Sequence, residues 1–183
     1  MKAIMISIKP EWVAKILNGE KTLEIRKNAP KCDLPIDVYI YCTKDKKMPL
    51  VCDIDGNIVL ANEHYAYGDE KLNGKVVAKF TLNKVEEIPD EYDDAWNYNL
   101  ERIDYWKKIY KESCLQEPDF SNYLKGKKGY AWHINDLVVF DKPKELSEFN
   151  TTQRIRYANL GFTEIKPLAK APRLWCYVEI DNG

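Results

Sequence analysis

The chain has 183 residues, with 28 Lys and Arg against 29 Asp and Glu for a formal net charge of −1, and 45% apolar and 31% charged residues. This balance excludes a disordered chain and a uniformly basic nucleic-acid binder. A chain of this size buries roughly 70% of its unfolded surface, so the fold needs no metal or disulfide staple.

In chain order, "AIMISI" (3–8) is a β-branched run and predicts a first strand. Pro10 suits the first turn of a helix, where its missing N–H would be unpaired anyway. Trp12 with Ile16 and Val13 with Leu17 then form an apolar stripe at i,i+4 spacing, and Gly19 stands where a left-handed cap is wanted. "KTLEIRK" (21–27) alternates as a strand, with Leu23 and Ile25 toward the core and Thr22, Glu24 and Arg26 on the opposite face. "DVYIYCT" (37–43) is a further strand, and Asp55-Gly56 between apolar runs marks a hairpin. "GKVVAKFTLNKVEEI" (74–88) reads as one long half-exposed antiparallel strand.

From Tyr92 the apolar residues Trp96, Leu100, Ile103, Trp106 and Tyr110 recur at steps of three and four, predicting an amphipathic helix. Its acidic start and basic end suit the helix dipole. A glycine-lysine turn then feeds a strand from Tyr130 to about Phe140, with a bulge at Asn135-Asp136. Residues 145–162 read as short helical or irregular pieces, and "RLWCYVEI" (173–180) as the closing strand. The expected architecture is α+β, a mixed, mainly antiparallel small barrel with one early short helix, in a single domain over 1–183 interrupted by a helical insertion at 89–128.

Charge is unevenly spread. Residues 1–31 and 154–175 each carry a net +4, whereas 84–104 carry a net −6. Such asymmetry permits a basic face on a neutral protein, and equally permits complementarity within it. The five cysteines include no C-x-x-C pair, and Cys32, Cys42 and Cys52 lie far from a compact zinc spacing. No metal and no cofactor are expected, and the compartment is read as reducing and cytoplasmic. The N-terminal apolar run is too short for a signal peptide, and no segment approaches the roughly 20 apolar residues that span a bilayer, so no membrane partner is expected.

The order "ISIKPEWVAKILNGEKTLEIRK" resembles the activating signal cointegrator homology (ASCH) family, whose domains are related in fold to the RNA-binding PUA domain. Its G-x-K-x-x-E-x-R motif falls on Gly19, Lys21, Glu24 and Arg26, and "GKVVAKFTL" and "YAWHI" resemble later family strands. The resemblance covers about 1–88 and 129–180 and leaves 89–128 as an addition. It implies a PUA-like barrel with a pocket between the first helix and the sheet. Some small relatives are amidohydrolases on N4-acetylcytidine with a G-x-K-T-x-T-x-R motif. Here Lys21 and Thr22 match that motif, but Glu24 stands where the second threonine would be. Other relatives are reported as ribonucleases or as RNA binders.

The residues allow three functions. As an enzyme on a modified base or on RNA, the protein would use Lys21, Thr22 and Glu24, although Thr22 and Glu24 lie about 7 Å apart along an ideal pleat. As a binder of RNA or a nucleotide, it would hold a phosphate or carboxylate through Arg26 and an exocyclic amino group through Glu24. Tyr41 or Trp132 would stack on a base, and Lys9, Lys127 and Lys128 would lie over phosphates. Ser7, near the helix start, is read as a cap or a ligand contact, and His133 as a structural or acid–base group. As an adaptor, the protein would bind a partner through the helix at 92–111, and a nucleic-acid role would survive deletion of 89–128. The plain alternative for Glu24 and Arg26 is a surface pair worth well under ~1 kcal/mol. Read with the family resemblance, the stretch is the polar wall of a pocket.

Overall fold

The computed structural model describes residues 1–61, 69–89, 100–157 and 160–180, the side chains of 100, 101 and 152–163 excepted. The first strand, β1 (Lys2–Ile8), lies in the middle of a seven-stranded sheet, parallel to β3 (Ile36–Cys42) and antiparallel to β13 (Trp175–Glu179). Its unbroken apolar run follows from this position, because both faces are covered. Ile4 and Ile6 enter one core and Ala3 and Met5 enter another on the far side. β3 pairs with β7 (Val76–Leu82), which pairs with β10 (Asn135–Lys144). On the other flank β11 (Asn150–Tyr157) and β12 (Leu160–Pro167) complete the sheet.

Helix α1 (Pro10–Leu17) leaves β1 through Lys9 and buries Val13, Ala14 and Ile16 in the first core. It stops at Gly19, whose φ of +74° is left-handed and favours glycine. β2 (Leu23–Arg26), β9 (Gly129–His133) and β8 (Val85–Ile88) form a separate three-stranded sheet. A third sheet comprises β4 (Leu50–Cys52), β5 (Ile58–Leu60) and β6 (Glu70–Lys71), the first two joined by the Asp55-Gly56 turn.

The structure departs from three expectations. No closed barrel is found among the described residues, and two strands expected to run on are divided at one corner. The 74–88 run divides into β7 and β8, and the 130–140 run into β9 and β10. Asp136 takes a φ of +47° and the β10–β7 register shifts beside it, while Asn135 Nδ2 donates to Asn83 Oδ1 at 2.7 Å across the corner. Of the short helical or irregular pieces expected at 145–162, one short helical piece is present, and most of the other described residues are strand. After a 3₁₀ turn at Leu146–Glu148 they enter the β11–β12 hairpin, paired from Asn150↔Pro167 to Tyr157↔Leu160.

The predicted insertion helix also has a companion. α2 (Leu100–Ser113) and α3 (Glu117–Leu124) lie within 89–128, whereas Tyr92 and Trp96 lie outside the described residues. The insertion is not an appendage. Trp106, Ile109, Phe120 and Leu124 form a core with Leu23, Ile25, Ile88 and Ala131, so α2 and α3 cover one face of the β2–β9–β8 sheet. The approach is close: a Cβ on Gly129 of β9 would stand 2.8 Å from Leu124 Cδ1. No helix among the described residues is long and apolar enough to cross a membrane.

A candidate ligand pocket

The pocket begins with the turn after α1. The N–H groups of Glu20 and Lys21 both donate to the Lys15 carbonyl, at 2.8 and 3.0 Å. This tight return delays the strand to Leu23 and turns the Lys21 side chain inward, where the residue is 3% exposed. Its Nζ donates to the carbonyls of Leu23 and Ser113, each at 2.7 Å, and stands 3.3 Å from Glu24 Oε2. An ammonium has three protons, and here each has an acceptor. Burial lowers the Lys21 pKa below the usual lysine value, and Glu24 opposes that shift.

Along β2 the alternation works as the sequence suggests for Leu23 and Ile25, which enter the core beneath α2 and α3. Glu24 and Arg26 share the other face, yet both are buried. Glu24 Oε1 takes Arg26 Nη2 at 2.9 Å, and the same nitrogen donates to the Ser7 carbonyl at 2.9 Å. Ser7 Oγ donates to the Pro172 carbonyl at 2.7 Å, so it ties β1 to the segment before β13 and does not cap α1. The chain of contacts Lys21–Glu24–Arg26–Ser7 thus fixes one wall of a cavity of about 490 Å³. Trp12, from the first turn of α1, forms another wall, its ring centroid 5.6 Å from Lys21 Nζ. Lys9 and Arg173 are exposed cations on the lining, while Asp119 and Tyr123 come from α3.

Most other residues singled out from the sequence lie elsewhere. Thr22 is exposed and does not line the cavity, and its backbone bonds to Glu112 and Ile134. Tyr41 belongs to the core on the far side of the main sheet. Trp132 is fully buried, with its ring 5.5 Å from that of Trp175, so neither aromatic presents a free face. His133 is half-buried with Nε2 3.4 Å from Glu86 Oε2, outside the lining. Lys127 and Lys128 sit on the exposed turn before β9, with Lys128 Nζ 2.6 Å from Glu87. Lys9 lines the cavity with its Nζ 3.8 Å from Glu11. No group of three or more potential metal ligands comes together among the described residues.

Sequence reasoning placed Trp12 in an apolar stripe and passed over Ser113, Asp119 and Tyr123. A half-buried tryptophan at the first turn of a helix was the available signal for the first of these. For the other three there was none, because their part depends on how 100–124 folds back over β2.

Residues 6–144 match the family model of the ASCH domain. Among solved structures, the crystal structure of ASCH from Zymomonas mobilis is 20% identical with a TM-score of 0.51, covering 79% of this chain and 73% of that one. A serine-to-alanine mutant of the same Zymomonas mobilis protein is 19% identical with a TM-score of 0.57, covering 97% of this chain and 88% of that one. At such identity the likeness is one of fold alone. No curated protein matches.

Proposed function

Because this chain belongs to the ASCH-domain family, we propose that the cavity beside α1 recognises a nucleotide, free or within single-stranded RNA, with Arg26 as its anchor. The observation that carries this reading is the burial of Lys21, Glu24 and Arg26, at 3, 8 and 6% exposure, beside an open cavity. Buried ion triads are expensive, and well-packed apolar residues often serve stability as well or better. A ligand site gives the triad a purpose that stability does not.

Trp12 offers the flat face on which an unstacked base can lie, and Lys9 and Arg173 stand where phosphates would approach. Binding should therefore weaken as salt rises. Titration of single-stranded RNA oligomers and mononucleotides, followed by Trp fluorescence, is expected to show tenfold or greater loss for Arg26→Ala. Lys15→Ala, outside the cavity lining, should match wild type. A flat salt response with undiminished affinity in Arg26→Ala would remove the proposal.

A second reading, an amidohydrolase on N4-acylated cytidine-type nucleosides or a ribonuclease, is favoured by the lowered pKa of Lys21. Against it, three oxygens surround Lys21 Nζ, a setting that favours the charged ammonium over the free amine a base must be, and Thr22 lies outside the cavity lining. Mass spectrometry of acylated cytidines and RNA after incubation separates the two readings. Turnover by wild type and not by Lys21→Ala establishes an enzyme, and unchanged substrates leave recognition as the function. The adaptor reading has less support, since Trp106 and Ile109 of α2 already face the internal core.

A further inference from the structure

Two buried groups on the cavity lining lack a well-formed hydrogen bond among the described residues: Arg26 Nε from β2 and the Tyr123 hydroxyl from α3. Native structures leave few buried polar atoms unpaired, and each such donor carries a desolvation cost. The neighbouring acceptors are already engaged. Glu24 Oε1 takes Arg26 Nη2, Oε2 faces Lys21, and the Ser7 carbonyl takes Nη2 as well. Burial raises the Tyr123 pKa, against the nearby Arg26 charge and a weak hydrogen bond that the hydroxyl oxygen takes from the Arg26 side chain, so Tyr123 keeps a neutral O–H to donate. Lys27 Nζ lies 5.0 Å from the Tyr123 ring centroid, which helps hold the ring in place.

We infer that Arg26 Nε–H and Tyr123 O–H together form a subsite for a carbonyl oxygen of the bound nucleobase, so that α3 of the insertion sets base selectivity. This rests on the nucleotide reading above and adds the atom that is read. One guanidinium N–H and one neutral hydroxyl suit a neutral carbonyl oxygen with two lone pairs. A phosphate suits the place less well, because Asp119 lines the same cavity one turn before Tyr123. Cytosine and uracil both carry such an oxygen, and adenine carries none. A site built to hydrogen-bond one group discriminates strongly against ligands that lack it.

The test is calorimetric titration of wild type and Tyr123→Phe with cytidine, uridine, adenosine and inorganic phosphate. Phenylalanine keeps the ring and removes only the hydroxyl, and matching melting temperatures would show that the fold is kept. Wild type should prefer cytidine and uridine to adenosine. Tyr123→Phe should weaken the two pyrimidines about tenfold, the scale of one buried hydrogen bond, and leave adenosine unchanged. If wild type binds nucleosides and Tyr123→Phe binds them equally, the subsite is overturned while the nucleotide reading stands. If the substitution weakens inorganic phosphate and not the pyrimidines, the oxygen read there is a phosphate's and the inference is overturned. If wild type binds none of the four, the nucleotide reading falls and the subsite falls with it.

Discussion

Glu24→Ala is expected to destabilise the protein by about 3–5 kcal/mol, the usual cost of removing one partner from a buried ion pair. Glu24 is the only anion between Lys21 and Arg26 in the described contacts, with its two oxygens at 3.3 and 2.9 Å from them. Without it, two cations less than a tenth exposed would face each other with no counter-charge. Urea unfolding monitored by far-UV circular dichroism gives the difference directly. A cost below about 1 kcal/mol would mean the triad is solvated like a surface pair, and the pocket would lose its main support.

A companion variant separates stability from function. Replacing the triad together, Lys21→Met with Glu24→Leu and Arg26→Met, should recover much of the loss, because apolar replacement of a buried triad is often neutral or stabilising. That protein should fold and bind nothing. Such a pair of results would assign the charges to recognition.

How much of this could be read from the chain depended on how local each cause is. Helix α1 was fully legible: Pro10 opens it, the Trp12–Ile16 and Val13–Leu17 stripe orients it, and Gly19 stops it. The alternation of β2 was legible too, but the burial of its polar face was not. A face bearing Glu24 and Arg26 reads as solvated unless something distant covers it, and part of that cover is Ser113, Asp119 and Tyr123, about 90 residues later. Tyr41 and Trp132 show the converse. In a strand, an aromatic residue suits a stacking platform and a core equally well, and only the distant elements that cover each strand's faces decide for the core. The β11–β12 hairpin escaped because "NTTQRIRY" lacks a clean apolar alternation, although Thr, Ile and Tyr favour strands. The breaks at Asn83–Lys84 and Ile134–Asp136, which divide the expected long strands, carry only a weak signal in the bulge at Asn135-Asp136.

The insertion offers the second large effect, and its sign is opposite to what the chain alone suggests. Replacing 89–128 by a short linker should abolish binding and leave an unfolded or molten β2–β9–β8 sheet. Burial of one large apolar side chain contributes about 1.5–3 kcal/mol. Removing Trp106, Ile109, Phe120 and Leu124 therefore forfeits roughly 6–12 kcal/mol, comparable to the whole stability of a typical domain. The same deletion takes away the Ser113 carbonyl, leaving one Lys21 proton without its acceptor. A single substitution, Trp106→Ala, tests the packing alone and should cost about 3–5 kcal/mol. Near-UV circular dichroism and dye binding would register the loss of fixed packing in the deleted chain. A deleted chain that unfolds cooperatively and binds RNA as wild type does would show that β2 positions Lys21, Glu24 and Arg26 unaided. With α2 and α3 supplying core packing and part of the cavity wall together, folding and recognition should instead be lost in one step.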